Sequence, residues 1–315
     1  MSAVDLSTSV GSVQLPNPVL TASGTAGHGA ELARYVDLAS LGAVVVKSLS
    51  VEPWAGNPAP RVTEVDAGML NSVGLQNPGV EAWLAEELPA LVATGARVVA
   101  SIWGVTVEAY EKAAAALAGA PPEVVAVEVN LSCPNLHGVA RSRESRRAMF
   151  AHSPALTAEA VAATAACGRP RWAKLSPNVT DLTEIAGAAL EAGAEALTLV
   201  NTVMGMAIDP ETRRPRLGAG GGGLSGPAIR PVAVRAVYDV CSAFPEAAVV
   251  GVGGVAAGEH AVELLLAGAS AVQVGTATFA DPRAPARILG ELERWCARHR
   301  VARVADLVGR ARADT

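Results

Sequence analysis

Short runs of Val, Ile and Leu recur along the whole chain, and Ala-rich amphipathic stretches separate most of them. The runs predict strands at residues 19–22, 43–47, 97–102, 124–130, 171–175, 196–201, 248–252 and 271–274. Helical spacing of apolar positions falls between them, for example at 107–117, 182–192, 231–243 and 258–267. The strands are apolar throughout rather than alternating, which is the signature of a parallel sheet covered on both faces. Eight β–α units in a chain of 315 residues predict a (β/α)8 TIM barrel, with residues 1–315 forming a single domain. An open, doubly wound sheet is the alternative, but its usual marker, an early G-x-G-x-x-G after the first strand, is missing.

Three segments stand outside this repeat. Residues 4–18 precede the first barrel strand and predict a hairpin that closes the barrel bottom. Residues 51–78, rich in Pro, Gly and Asn, follow the second strand, and residues 203–227 follow the sixth. Loops after strands lie at the C-terminal face of a barrel, where active sites are built, so both insertions are expected to shape a site. The glycine run at 218 and 220–223 lacks the Lys-Ser or Lys-Thr that ends a phosphate loop, and reads as a tolerated surface excursion.

Composition removes several classes. Half the residues are apolar and the net charge is −5, so the chain can bury a large core and lacks the basic face of a nucleic-acid binder. Mean hydropathy is +0.32, yet no apolar stretch approaches the ~20 residues of a spanning helix. Residues 1–11 carry neither a basic nor an apolar leader region, so a cytoplasmic location is expected. Cys133, Cys167, Cys241 and Cys296 form no C-x-x-C pair, and the five histidines form no H-E-x-x-H. No metal site is expected on this chain.

Candidate chemistry sits where polar residues interrupt the ends of apolar strands. Ser23 and Gly24, Lys47, Asn130, Lys174, Asn201 with Thr202, Gly253 with Gly254, and Gly275 with Thr276 all occupy such positions. Barrels often hold a phosphate on the loops after strands seven and eight. Residues 251–255 and 274–277 offer glycine backbone there, Thr276 adds a hydroxyl, and the helix starting near Gly258 can aim its N-terminus at an anion. Lys47 and Lys174 are both read as buried, and so call for a negative or electron-rich partner. Flavin mononucleotide (FMN) meets both needs, its phosphate at strands seven and eight and its ring edge facing Lys174. Cys133 follows an apolar strand in a Pro-flanked turn and is the candidate catalyst, whereas the other three cysteines lie in helical contexts and read as apolar filler.

From about residue 13 to 309 the chain resembles the class 1 dihydroorotate dehydrogenases. The likeness is carried by Thr21-Ala22-Ser23-Gly24, by residues 56–61 and 70–79, by Val129-Asn130-Leu131-Ser132-Cys133-Pro134-Asn135, by Lys174-Leu175-Ser176-Pro177-Asn178, and by Leu224-Ser225-Gly226-Pro227. Its Lys-Leu-Ser-Pro-Asn, Gly-Leu-Gln-Asn-Pro-Gly and Leu-Ser-Gly-Pro-Ala motifs are closer to the NAD-linked B subclass than to the fumarate-linked A subclass. The resemblance implies a cytoplasmic FMN enzyme that oxidises (S)-dihydroorotate to orotate in pyrimidine synthesis. It implies Cys133 as the base, with Ala22, Ser23, Gly24, Lys47, Ser48, Asn130, Lys174, Val200, Gly226, Gly253, Gly254, Gly275 and Thr276 toward FMN. Toward substrate it implies Lys47, Asn71, Ser72, Val73, Gly74, Leu75, Asn130, Asn135, Asn201 and Thr202. A partner subunit with FAD and a 2Fe-2S cluster would take the electrons, around a homodimer core within a heterotetramer, with no nucleic acid and no membrane involved. Two departures stand out: the Arg-rich stretch 141–147, and Ser101 at the end of strand three, where an Asn usual in the subclass would contact the flavin. They leave open a paralogue acting on another dihydropyrimidine or cyclic amide, or a non-catalytic flavin-binding subunit.

Overall fold

The computed structural model describes residues 4–132 and 149–312. Its frame is eight parallel strands: β1 (Val19–Thr21), β2 (Val44–Val45), β3 (Val98–Ile102), β4 (Val124–Asn130), β5 (Arg171–Lys174), β6 (Ala196–Leu199), β7 (Ala248–Val252) and β8 (Ala271–Val274). They lie side by side in the order β1-β8-β7-β6-β5-β4-β3-β2. The remaining gap between β1 and β2 is spanned by a parallel bridge from Leu20 to Ala43. The Thr21 amide donates to the Ala43 carbonyl at 3.3 Å, and the Thr21 hydroxyl accepts from the Val45 amide at 2.9 Å and donates to the Val45 carbonyl at 3.3 Å. A side chain thus completes the ladder where the backbone stops. The barrel expected from the strand pattern is present, and the open doubly wound sheet is excluded.

All eight expected strands form. The shortest, β2, is interrupted rather than ended: the Lys47 amide bonds the Gly27 carbonyl, and pairing with β3 resumes where the Leu49 amide meets the Ser101 carbonyl. Helices Val107–Ala116, Leu182–Glu191, Arg230–Ala243 and Gly258–Ala267 match the periodic stretches between strands, and their buried faces pack on the outside of the barrel. Cys167, Cys241 and Cys296 are buried filler, as their helical contexts suggested.

The inside of the barrel has two levels. Strands Thr8–Val10 and Val13–Leu15 pair as an antiparallel hairpin and send Val10, Val13 and Leu15 into a cluster with Leu20, Val45, Val99, Ala126, Trp172, Ala196, Val250 and Ala271. This is the predicted bottom plug. Because side chains on a strand repeat every two residues, the next inward positions are Ser101, Glu128, Lys174, Thr198 and Gln273, all buried. An apolar floor therefore changes to a polar layer within two residues.

The two insertions build one further sheet. Val62–Val65 and Gly68–Asn71, from the first, pair antiparallel with Gly222–Ser225 and Val203–Gly205, from the second. The glycine run is therefore not a free excursion. Gly222 and Gly223 form a buried strand against Asn71, and a Cβ at Gly223 would overlap the Thr202 hydroxyl. Only glycine lets that strand lie so close.

The seam generates a stability prediction. Thr21→Val keeps the shape but leaves the buried Val45 amide without its acceptor, so unfolding free energy should fall by about 1–3 kcal/mol. Urea denaturation of the two proteins measures it.

Candidate active site

A cavity of about 410 Å3 opens at the C-terminal ends of the strands, within the size range of small-molecule and cofactor pockets. Ala22, Ser23, Gly24, Lys47, Ser48, Asn130, Lys174, Val200, Gly226, Gly253, Gly254, Gly275 and Thr276 all line it, as do Asn71, Val73, Gly74, Leu75, Asn201 and Thr202. Residues from the ends of seven of the eight strands, all but β3, and from the two insertions thus converge on one space. Ser72 does not join them: it is fully buried behind the wall and accepts from the Asn57 amide at 3.0 Å. Cys133 and Asn135 lie outside the described residues.

One end of the cavity is backbone. Gly253 and Gly254 have φ of +137° and +72°, and a Cβ would meet Ala233 Cβ at 2.7 Å or Arg230 Cβ at 2.6 Å. Glycine here lets the chain turn tightly against the following helix while its peptide groups edge the cavity. Gly275 and Thr276 complete this end from β8, and the Thr276 hydroxyl donates to the Ser225 hydroxyl at 2.7 Å. The helix Gly258–Ala267 plays a different part from the one expected. Its first amide, on Gly258, donates to the Glu291 carboxylate at 2.7 Å. Burial alone would raise the pKa of Glu291, but the hydrogen bonds from Arg287 and the Gly258 amide bring it below the usual glutamate range. The Gly258 amide at that helix terminus is therefore already engaged by an anion of the protein itself.

The other end rests on the polar layer. Asn130 donates to the Ser48 hydroxyl at 2.9 Å and accepts at Oδ1 from the Ser132 amide at 3.3 Å, from its hydroxyl at 3.2 Å, and from Asn201 Nδ2 at 3.4 Å. Asn201 Nδ2 also reaches Ser132 Oγ at 2.9 Å, and its Oδ1 accepts from the Thr202 amide at 2.8 Å. The amides of Asn130 and Asn201 are therefore held in fixed orientations at the cavity wall. Asn178 braces the same wall, donating to the Thr202 carbonyl and accepting from the Met204 amide.

Below them, Lys174 Nζ lies 3.3 Å from Glu128 Oε1. The carboxylate also accepts from Ser101 Oγ at 3.3 Å and from Gln273 Nε2 at 2.8 Å. This corrects the electrostatic argument made from the sequence, since Lys174 finds its counter-charge inside the protein. Glu128 and Gln273 went unnoticed because they sit within strands rather than at their ends. The available signal was a charged and an amide residue inside otherwise apolar runs, Val-Val-Ala-Val-Glu-Val and Ala-Val-Gln-Val. Ser101 does not face the cavity; it reaches the wall only through the Ser48 hydroxyl at 2.8 Å. Lys47 is half-buried at the rim near Gly24. Close by, burial lowers the pKa of His28 below the usual histidine range, and the Lys47 charge adds to the effect. Among the described residues no cluster of His, Cys, Asp and Glu could hold a metal ion, and no helix is long and apolar enough to cross a membrane.

The model of one family, dihydroorotate dehydrogenase, matches residues 5–295. A Solibacter usitatus protein provisionally named dihydroorotate dehydrogenase A (fumarate) is 50% identical over 309 residues, covering 96% of this chain and 97% of the relative. Proteins named dihydroorotate dehydrogenase B (NAD(+)), catalytic subunit, are similar at nearly the same level. The one from Desulforudis audaxviator is 49% identical over 98% of both chains, and the one from Geobacter sp. strain M21 is 46% identical over 98% of this chain and 99% of its own.

The packing of the wall yields a second prediction. Gly223→Ala drives a methyl group into Thr202, so unfolding free energy should fall by about 1–3 kcal/mol. Gly119→Ala, whose Cβ meets nothing within 4 Å, is the control in the same urea titration.

Proposed function

The chain belongs to the dihydroorotate dehydrogenase family, and from that premise we propose that it binds FMN and oxidises (S)-dihydroorotate to orotate for pyrimidine synthesis. A single observation carries the reading: one cavity joins an end of glycine backbone, suited to a phosphate, to an end of fixed Asn amides and a buried Lys, suited to heterocyclic rings. The donor set fits FMN. The peptide groups of Gly253, Gly254 and Gly275 with the Thr276 hydroxyl would hold its phosphate, while Ala22, Ser23, Gly24, Ser48, Val200, Gly226, Lys47 and Lys174 would surround the rest. FMN supplies a two-electron acceptor for the hydride leaving substrate C6.

The protein's own groups do the rest. Asn71, Asn130, Asn201 and Thr202, with Asn135, match the alternating donors and acceptors of a dihydropyrimidine ring and its carboxylate. Val73, Gly74 and Leu75 close around it and limit water. Asn130 and Asn201 need no reorganisation on binding, because Ser48 and Ser132 already set their orientation. Preset dipoles of this kind favour the transition state at little cost. Cys133, placed by the family motif, removes the C5 proton, so that C5 and C6 become doubly bonded as proton and hydride depart.

The motif likeness favours the NAD-linked form, with the whole chain as one FMN-binding unit of the cytoplasm. Electrons would then pass to a partner subunit carrying FAD and a 2Fe-2S cluster, around a homodimer core. One structural feature supports such docking. Of the seven large apolar side chains exposed among the described residues, Val62, Met204, Met206, Ile208 and Phe279 belong to the insertions or the cavity rim.

Three experiments test this. Anaerobic dihydroorotate should bleach the visible band of the purified flavoprotein; bleaching only by other dihydropyrimidines would move the substrate assignment to a paralogue. Cys133→Ser should retain FMN yet lose about 10²- to 10⁴-fold in turnover at neutral pH, with partial return at high pH, since a serine hydroxyl is a far weaker base. The isolated chain should reduce artificial acceptors but not NAD. Efficient NADH production by this polypeptide alone would remove the partner, and turnover with fumarate would place it with the A form.

A further inference from the structure

Behind the cavity wall lies a carboxylate to which the family reading assigns no task. Glu128 is fully buried in β4 and has three side-chain partners: Lys174, Ser101 and Gln273 at 3.3, 3.3 and 2.8 Å. It does not line the cavity, whereas Lys174 does. A buried ion pair gives up so much hydration that apolar residues of similar volume often do as well or better for stability. Trp172, Ala126 and Ala271, two residues earlier on the same three strands, show that the barrel interior can be packed without charge at the level below. A pair kept at the cavity edge therefore calls for another account.

Geometry supplies one. Of the two charges the lysine ammonium is the one that lines the cavity, and the carboxylate lies behind it. Gln273 and Ser101 fix the carboxylate from the β8 and β3 sides, so the lysine is tethered from one direction only. The field this layer presents to a ligand is that of an oriented, nearly neutral pair instead of a bare cation. Building on the FMN reading above, we infer that Glu128 is a positioning residue that holds Lys174 and, by offsetting its charge, sets the reduction potential of the bound flavin. Without Glu128 the reduced, more negative flavin would face an uncompensated cation and be favoured. Without Lys174 it would face an unpaired carboxylate and be disfavoured.

The test is a charge cycle on FMN-loaded protein: wild type, Glu128→Gln, Lys174→Gln, and the double variant, whose two neutral side chains keep the shape of the pair. Midpoint potential and the affinity of the oxidised flavin for sulfite are read, neither of which requires turnover. Glu128→Gln should tighten sulfite binding on the order of tenfold and raise the potential, a tenfold change in a two-electron equilibrium being about 30 mV. Lys174→Gln should move both in the opposite direction. Should Glu128→Gln not fold, the double variant still decides, since it should lie well above Lys174→Gln in both readouts. Equal values for wild type and Glu128→Gln, or for Lys174→Gln and the double variant, overturn the inference while leaving the flavin assignment intact. A wild-type protein that takes up no FMN removes the assignment and the inference together.

Discussion

An ammonium and a carboxylate 3.3 Å apart, both almost wholly removed from water, are the constraint around which this barrel is arranged. Neither group can be buried alone, so β4 and β5 must be adjacent and in the register that sets Asn130 beside Lys174 and Glu128 beside Trp172. Gln273 must then reach across from β8, on the far side of the interior, to satisfy the second carboxylate oxygen. Three strands are thereby tied in height. The apolar layer below fills the space that this fixes, with the fully buried Trp172 as its largest member. The Asn and Ser side chains above inherit their positions from the same strands.

The same arrangement explains how far the sequence could be read. Strands announce themselves when they are apolar on both sides, and β4, β7 and β8 appear with the bounds their composition suggests. Glycines and amides at strand ends were legible because a barrel gathers strand ends into one place. Glu128 and Gln273 were not, since their partners sit 46 and 145 residues away and a lone charge inside a strand has no local meaning. The glycine run misled for a related reason. Its role is set by Asn71 and Thr202, neighbours only after the two insertions pair. Gly258 misled because the carboxylate that occupies its amide comes from another helix.

Local grammar and distant partnership thus divide the molecule. Helix caps such as Thr106, Ser153 and Asp181, each accepting from an amide of its own first turn, need only nearby residues and mark where elements begin. The chemistry depends on contacts that cross the barrel. The wall amides are held from other elements: Asn130 by the Ser48 hydroxyl, Asn201 by the Ser132 hydroxyl, and Asn71 by the Gly223 carbonyl. The specificity of the cavity comes from what those amides are prevented from doing as much as from what they offer.

The pairing of β1 with β8 has a consequence for how the chain is made. During synthesis β1 emerges early with one ladder edge bare, and the strand that covers it arrives only after about 250 further residues. Exposed edges of this kind invite wrong pairing. The bridge to β2 occupies the opposite edge, so this one stays uncovered until β8 is made. The glycine end of the cavity lies on β7 and β8, so that end stays missing until the last two barrel strands have been made. The cavity is in this sense a late product of the barrel: a chain cut before β7 would have six of the eight strands and only one end of the cavity.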